Sequence, residues 1–339
     1  MCRFILIIIF IFILILKLST NNKIRITSSI KWSIFFVLLL IVIIRPETMA
    51  DYQNYIDAYN IQTARFEPFY HLIYGILHFL SQPYLIFFII MACLTVGLKW
   101  YAIIRISDFP FFSLLIWIAQ VLILQDMIAI RAALAASILL WIVWFKNNQK
   151  IGLMWISIFG AICCHYSAVL FLIIPFLSST KPRKLIYLGC LGTSAYLAFI
   201  GFSLTDFFGL VAIEAVEQLN DIYKNQKDAN AFNMLQVLRC ILCILLWFKI
   251  DYLKNLNKNI LCYLKLYTLG CIIFFLCWKL ISVAFRFGEL FWVTEIILYP
   301  YLMYLFGGRY KKIFKLIPIL TAIVLFVYNF SNSSLWNVT

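Results

Sequence analysis

Arg131 lies in the stretch Gln125-Asp126-Met127-Ile128-Ala129-Ile130-Arg131-Ala132-Ala133-Leu134-Ala135-Ala136, inside an otherwise apolar part of the chain. By contested estimates, a charge within a membrane helix costs several kcal/mol unless it meets water or a partner. Glu67, His165, Arg286 and Glu289 are the candidate partners. Arg131 is either a snorkelling arginine near a helix end or a fixed cation facing an internal cavity. The small residues Ala132, Ala133, Ala135 and Ala136 permit close helix packing and favour the second reading. Asp126 stands five residues before Arg131, which is poor spacing for a pair within one helix. His165 is either a hydrogen-bonded structural histidine or a general base working near neutral pH. Arg286 and Glu289 are three residues apart and could simply pair on a helix. Glu67 precedes Pro68 and reads as a helix-start carboxylate or as a second candidate base.

The composition dictates what positions these residues. Of the 339 residues, 65% are hydrophobic and 12% charged, against about 25% charged in soluble domains. The runs are continuously apolar, as in Phe4–Leu16, so the fold class is all-α, a polytopic membrane protein forming a single domain over residues 1–339. A β-barrel would alternate. The net charge of +14 collects in short loops between apolar runs. This is the pattern of cytoplasmic anchoring, not of nucleic-acid binding. The ten cysteines are scattered mostly through apolar segments, so they read as small buried hydrophobes. The three histidines, His71, His78 and His165, show no metal-ligand spacing, and no metal site is expected. Phe4–Leu16 has the length of a signal-peptide core but no small-residue cleavage site, and reads as an anchor.

Lys/Arg counts orient the spans. Lys17–Lys31 is cytoplasmic, and spans are expected near 4–16 and 32–44. An acidic, tyrosine-bearing extracytoplasmic loop follows, within 45–83. Its apolar run Phe69–Leu80 is twelve residues, roughly 18 Å against a hydrocarbon core of about 30 Å, and is expected to be re-entrant or interfacial. Spans near 84–104, 109–125 and 127–145 come next. Residues 151–178 have basic flanks and are too short for two full crossings. They are expected to form a short hairpin with Cys163-Cys164-His165-Tyr166-Ser167 at a tip sunk into the protein. Further spans are expected near 185–202, 235–249, 259–280, 287–306 and 313–330. A second outer loop at 203–234 carries a surface helix over Phe207–Leu219. The total is about twelve crossings with both termini outside. Arg239 falls inside a span near its outer end, and joins the same cavity or snorkels. Tyr52, Tyr55 and Tyr59 fit an interfacial belt or rings stacked on sugars. His71 and His78 share one helical face and suit packing.

Four pieces in order resemble the EpsG / Wzy-type polysaccharide polymerase family. They are an Asp/Tyr-rich loop ending in Phe66-Glu67-Pro68-Phe69, the helix Ile130-Arg131-Ala132-Ala133-Leu134-Ala135, the tip His165-Tyr166-Ser167-Ala168, and Phe285-Arg286-Phe287. Ala132 stands where the family pattern suggests glutamine. The resemblance implies a glycosyltransferase at the outer face of a bacterial inner membrane. It would join oligosaccharide repeat units carried on undecaprenyl diphosphate into capsule, O-antigen or exopolysaccharide. The implied partners are that lipid-linked oligosaccharide, the bilayer and a chain-length regulator protein, with no nucleic acid and no cofactor. The leaving diphosphate needs positive charge, which arginine supplies with a planar donor array. Arg131 and Arg286 are the first choices and Arg239 the third. His165 is the first choice for the base and Glu67 the second. Tyr52, Tyr55, Asp126 and Glu289 are expected to contact substrate. No Asp-x-Asp occurs, so a metal-independent reaction is expected. A lipid-linked oligosaccharide flippase would need charges reaching both faces, whereas here they gather at the outer end. An O-antigen ligase shares the leaving group and differs in the acceptor.

Overall fold

The structure, a computed structural model, describes residues 2–19, 28–49, 51–61, 67–204, 230–305 and 316–331. Most of the 203–234 loop, with Asp206, Glu214, Glu217, Asp221, Asp228 and the Phe207–Leu219 segment, lies outside these residues. So do Arg65, Phe66 and the basic residues Arg309, Lys311, Lys312 and Lys315. The described residues are helical or in connecting turns, with no strand among them.

The helices are α1 (Cys2–Ser19), α2 (Ser28–Ile43), α3 (Tyr52–Ile61), α4 (Pro68–Phe79), α5 (Tyr84–Ile106), α6 (Pro110–Ile116), α7 (Ile130–Asn147) and α8 (Ile151–Cys164). After them come α9 (Lys184–Phe199), α10 (Met234–Phe248), α11 (Ile250–Leu256), α12 (Ile260–Leu276), α13 (Ile281–Trp292), α14 (Glu295–Leu298) and α15 (Ile317–Ser331). Three stretches are long and apolar enough to cross a membrane: Tyr84–Ile106, Pro110–Ile128 and Ile130–Asn147. Other apolar helices at expected spans, such as Lys184–Phe199, Met234–Phe248 and Ile260–Leu276, are shorter than 18 residues. A count of twelve crossings therefore requires these shorter helices to cross as well.

α7 packs against α5, α8 and α13. Its alanines Ala132, Ala133, Ala135 and Ala136 are buried, which lets these helices approach closely. α6 continues without a break into a π-helix over Trp117–Ile128. That widened form closes on the bond from Ala129 N to Leu124 O. Ala129, at φ −88° and ψ 61°, then breaks the chain before α7 begins. The region 151–178 is a hairpin as expected. α8 has 14 residues, about 21 Å at the α-helical rise. The return arm Tyr166–Phe176 is a 3₁₀-helix of 11 residues, about 22 Å at the steeper 3₁₀ rise. The tighter helix makes two arms of unequal residue count equal in length.

The basic turns gather at one end of the bundle. Lys146 Nζ donates to the carbonyls of Ile174 and Leu177. Lys265 Nζ donates to those of Ser178 and Lys181 at 2.6 and 2.7 Å. Lys258 Nζ reaches Asn148 Oδ1 at 2.9 Å. The Arg131 end of α7 and the His165 tip of the hairpin lie at the opposite end.

One expected span differs. The segment placed at 287–306 begins at Ile281, breaks at Val293–Thr294, and continues as α14 and a 3₁₀ turn over Tyr299–Tyr304. Pro300 lacks the N–H needed to carry an α-helix onward. The earlier start puts Arg286 and Glu289 within α13, not at its first turn.

A buried ion pair ties the three long helical stretches together, Lys99 Nζ also reaching the Ala133 carbonyl on α7 at 3.4 Å. Lys99 on α5 holds Asp126 at 2.6 Å with both side chains wholly enclosed, and Trp117 Nε1 donates to the other Asp126 oxygen at 2.8 Å. Removing one member leaves an unpaired charge in the interior, which costs about 3–5 kcal/mol. Lys99→Met should therefore destabilise the detergent-solubilised protein strongly, and Lys99→Met with Asp126→Leu should recover most of the loss. Thermal unfolding checks this, and a double variant no more stable than the single one would contradict it.

Candidate functional site

The site is built on a carboxylate that does not cap its own helix. Glu67 is the N-cap of α4, with φ −69° and ψ 157°, and Pro68 fixes the first helical position. A carboxylate there ordinarily accepts from the N–H groups of the first turn. The Glu67 side chain makes no such bond. Its Oε2 instead accepts from Arg131 Nη1 at 2.9 Å, and its Oε1 meets His165 Nδ1 at 2.8 Å. These partners lie 64 and 98 residues further along the chain.

Arg131 is the second residue of α7. Its cation sits at the positive end of the helix dipole, where a cation is disfavoured and a carboxylate welcome. Glu67 supplies the carboxylate. The Arg131 guanidinium also lies over the Tyr55 ring, 5.9 Å from its centroid, with the Tyr55 hydroxyl close by.

His165 links the two arms of the sunken hairpin in an extended conformation, φ −160° and ψ 117°. That residue turns the chain, so the imidazole points into the bundle and Tyr166 stays exposed. His165 Nε2 is buried and has no hydrogen-bond partner.

Charge states follow from these contacts. Burial is the largest single influence on Glu67 and opposes its ionisation. The His165 hydrogen bond and the Arg131 charge together outweigh it, so the carboxyl is held down at about 2. An ionised carboxylate can only accept, so Nδ1 of His165 carries the hydrogen and donates. In the neutral ring Nε2 is then a bare lone pair. Exposure separates the roles: the Arg131 side chain is 22% exposed and can be reached by a ligand, whereas Glu67 at 4% is enclosed behind it.

Apart from Tyr55, which carries Arg131 on its ring, the remaining sequence candidates lie outside this cluster. Asp126 is enclosed and held by Lys99 and Trp117. Tyr52 and Tyr55 bury their rings against Phe88 instead of presenting a sugar-stacking face, Tyr52 stacking at 5.0 Å. Tyr59 is likewise buried, stacked on His78. Arg239 is enclosed. Its Nε donates to Glu295 at 2.8 Å, and its guanidinium stacks on Trp292 at 3.7 Å. Glu289 is half-buried and lines a water-sized cavity with Arg239, Gln120 and Gln125. Arg286 is exposed and forms no ion pair with Glu289. Gly288 explains part of this layout: a Cβ there would lie 2.6 Å from the Trp292 ring, so only glycine lets that ring slide under Arg239. Sequence reading missed Glu295 and Arg45. Glu295 sits within an expected apolar span, and Arg45 is one of several charges of the acidic outer loop, so neither stands out in the sequence.

A family model described as the EpsG family matches residues 29–338. No curated protein and no solved structure matches the chain.

The depressed Glu67 carboxyl makes a pH prediction. Its folded value of about 2 lies below the ordinary 4.5. Its stabilising contribution is thus complete above that ordinary value and lost as pH falls through the folded value. The difference in melting temperature between wild type and Glu67→Gln should shrink steadily from pH ~5.5 to ~2.5. A difference that stays constant across this range would mean that Glu67 is not held ionised by its partners.

Proposed function

The chain belongs to the EpsG family, and on that premise we propose that it polymerises lipid-linked oligosaccharide repeat units at the outer face of a bacterial inner membrane. The observation that carries this reading is the Glu67 carboxylate bound at once to Arg131 and to His165 Nδ1, with His165 Nε2 left bare.

In the proposed reaction the acceptor is a hydroxyl on the terminal sugar of one repeat unit. His165 Nε2 accepts the hydroxyl proton as the oxygen attacks the anomeric carbon of the donor unit. The new bond joins the acceptor oxygen to that carbon. The bond from the same carbon to the lipid diphosphate oxygen breaks and takes its electron pair with it. Attack opposite the leaving group inverts the anomeric centre. Glu67 does not take the proton itself, because Arg131 and His165 hold its carboxyl well below the usual carboxylate range. It holds the imidazole in the productive tautomer and steadies the imidazolium that forms, as the aspartate of a Ser-His-Asp triad does. The proton on His165 is then released to water or to the departing diphosphate. Arg131 faces the charge growing on the diphosphate, where a preorganised cation stabilises the transition state more than the ground state. Arg286, exposed on α13, is the second candidate for phosphate contact.

The location of the charges favours a polymerase over a flippase. The basic turns lie at one end and the Glu67, Arg131 and His165 cluster at the other, and the enclosed charges Lys99 with Asp126 and Arg239 with Glu295 are paired with each other.

Purified protein supplied only with diphosphate-linked repeat units should build longer lipid-linked chains without nucleotide sugar. His165→Ala should lower the rate ~10²- to 10⁴-fold, the usual share of a general base. Arg131→Lys should also fail badly, because lysine loses the fork that bridges a carboxylate and a phosphate. Gel analysis of chain length checks both, with insertion and thermal stability as controls. Normal chain growth by both variants would overturn the assignment. Transfer onto a lipid A core only would favour a ligase.

A further inference from the structure

Arg45 follows the end of α2 and is 5% exposed. Its Nη1 donates to the Met127 carbonyl at 3.2 Å, at the C-terminal end of the π-helix. Its guanidinium lies 4.8 Å over the Phe88 ring. Phe88 also packs against Tyr52 and, at 6.4 Å, against Tyr55, and the Tyr55 ring carries Arg131 on its face. Arg45 and Arg131 therefore flank one aromatic wall, and both lie near the Tyr55 hydroxyl.

Two features set Arg45 apart. Its Nε and Nη2 are buried and have no hydrogen-bond partner. Leaving charged donors without partners in an interior is expensive, and native proteins seldom do it without an absent ligand or ion. The nearby enclosed carboxylates are also already engaged, Glu67 by Arg131 and His165 and Asp126 by Lys99, so neither pairs with Arg45. The nearby acids Glu47 and Asp51 are exposed to solvent. Burial pushes the Arg45 guanidinium down to about 10, which still leaves it charged at neutral pH.

We propose that Arg45 is a second anion-binding arginine of the site, its free Nε and Nη2 edge taking phosphate oxygens alongside Arg131. The inference rests on the polymerase reading for the identity of the anion, a diphosphate, and on geometry for its place. An arginine edge offers two parallel donors, the arrangement that fits two oxygens of one phosphate. The bond to Met127 O holds the guanidinium in line and anchors it at the negative end of the π-helix, where a cation is favoured.

The test titrates inorganic pyrophosphate into the full-length, detergent-solubilised protein by calorimetry. Wild type should bind it. Arg45→Gln should bind about 10- to 100-fold more weakly, the usual value of hydrogen bonds to a charged group. Arg45→Lys keeps the charge and the reach to Met127 O. It should stay folded and bind with intermediate affinity, so the result stands even where the glutamine variant fails to fold. Lys254→Gln, outside the site and paired with Asp251, should bind pyrophosphate as wild type does. Wild-type affinity in Arg45→Lys and in folded Arg45→Gln would overturn the inference, as would no pyrophosphate binding by wild type. Glucuronate binding in preference to pyrophosphate would overturn the phosphate assignment. Chain growth that depends on His165 while pyrophosphate binding ignores Arg45 would remove this subsite and leave the polymerase reading intact. Arg45-dependent pyrophosphate binding in a protein that builds no chains would do the reverse.

Discussion

The two-sided engagement of the Glu67 carboxylate is the interaction from which the rest of the site follows. Each of its three members would be costly alone: a buried carboxylate, an arginine at the wrong end of a helix dipole, and a histidine sunk in an apolar bundle. Together they satisfy one another, and the arrangement has a direction. Arg131 fixes one oxygen of Glu67, so the other is free to fix His165, and His165 is left with one open nitrogen. A structural ion pair would consume all its polar atoms, as Lys99 and Asp126 nearly do. This cluster ends in a lone pair and a partly exposed guanidinium, the two features a transfer to a sugar hydroxyl with loss of diphosphate requires.

The helices around it serve to bring three distant segments to one depth. α4 is short and begins at Glu67, so its N-terminus ends inside the protein instead of crossing it. The hairpin is also short, and its 3₁₀ return arm brings both its ends level at the basic side while His165 stays at the tip. The π-helix ends at Ile128, just before Arg131. Two enclosed ion pairs, Lys99 with Asp126 and Arg239 with Glu295, pin the surrounding helices. Pairs of this kind contribute modestly to stability but strongly disfavour any other register, since a slip would strand a charge.

Much of this was legible in the chain, for reasons that can be named. Arg131 and His165 stood out because each interrupts an apolar run and Glu67 because it precedes one after Phe66, and basic loops alone indicated that they share one end. The hairpin followed from its length and its basic flanks. Asp126 and Arg239 were harder to read. A charge in an apolar run looks the same whether it faces a cavity or a buried counterion, and the counterions Lys99 and Glu295 lie 27 and 56 residues away. Lys99 lies near the end of an apolar run, yet its ammonium is enclosed in the bundle. Tyr52 and Tyr55 carried the composition of a sugar-binding or interfacial surface. Their burial depends on the tertiary position of Phe88, which no local pattern encodes. The span expected at 287–306 differs because composition marks neither the helix start at Ile281 nor its stop before Thr294.

The claim that Glu67 holds His165 with Nδ1 protonated and Nε2 open can be tested without substrate. Nitrogen-15 magnetic resonance of histidine-labelled protein at neutral pH, with the His165 signals assigned by their loss in His165→Ala, reports the tautomer directly. The account predicts a protonated Nδ1 and a bare Nε2 in the wild type, and loss of that preference in Glu67→Ala. A wild-type His165 with its hydrogen on Nε2 would contradict it.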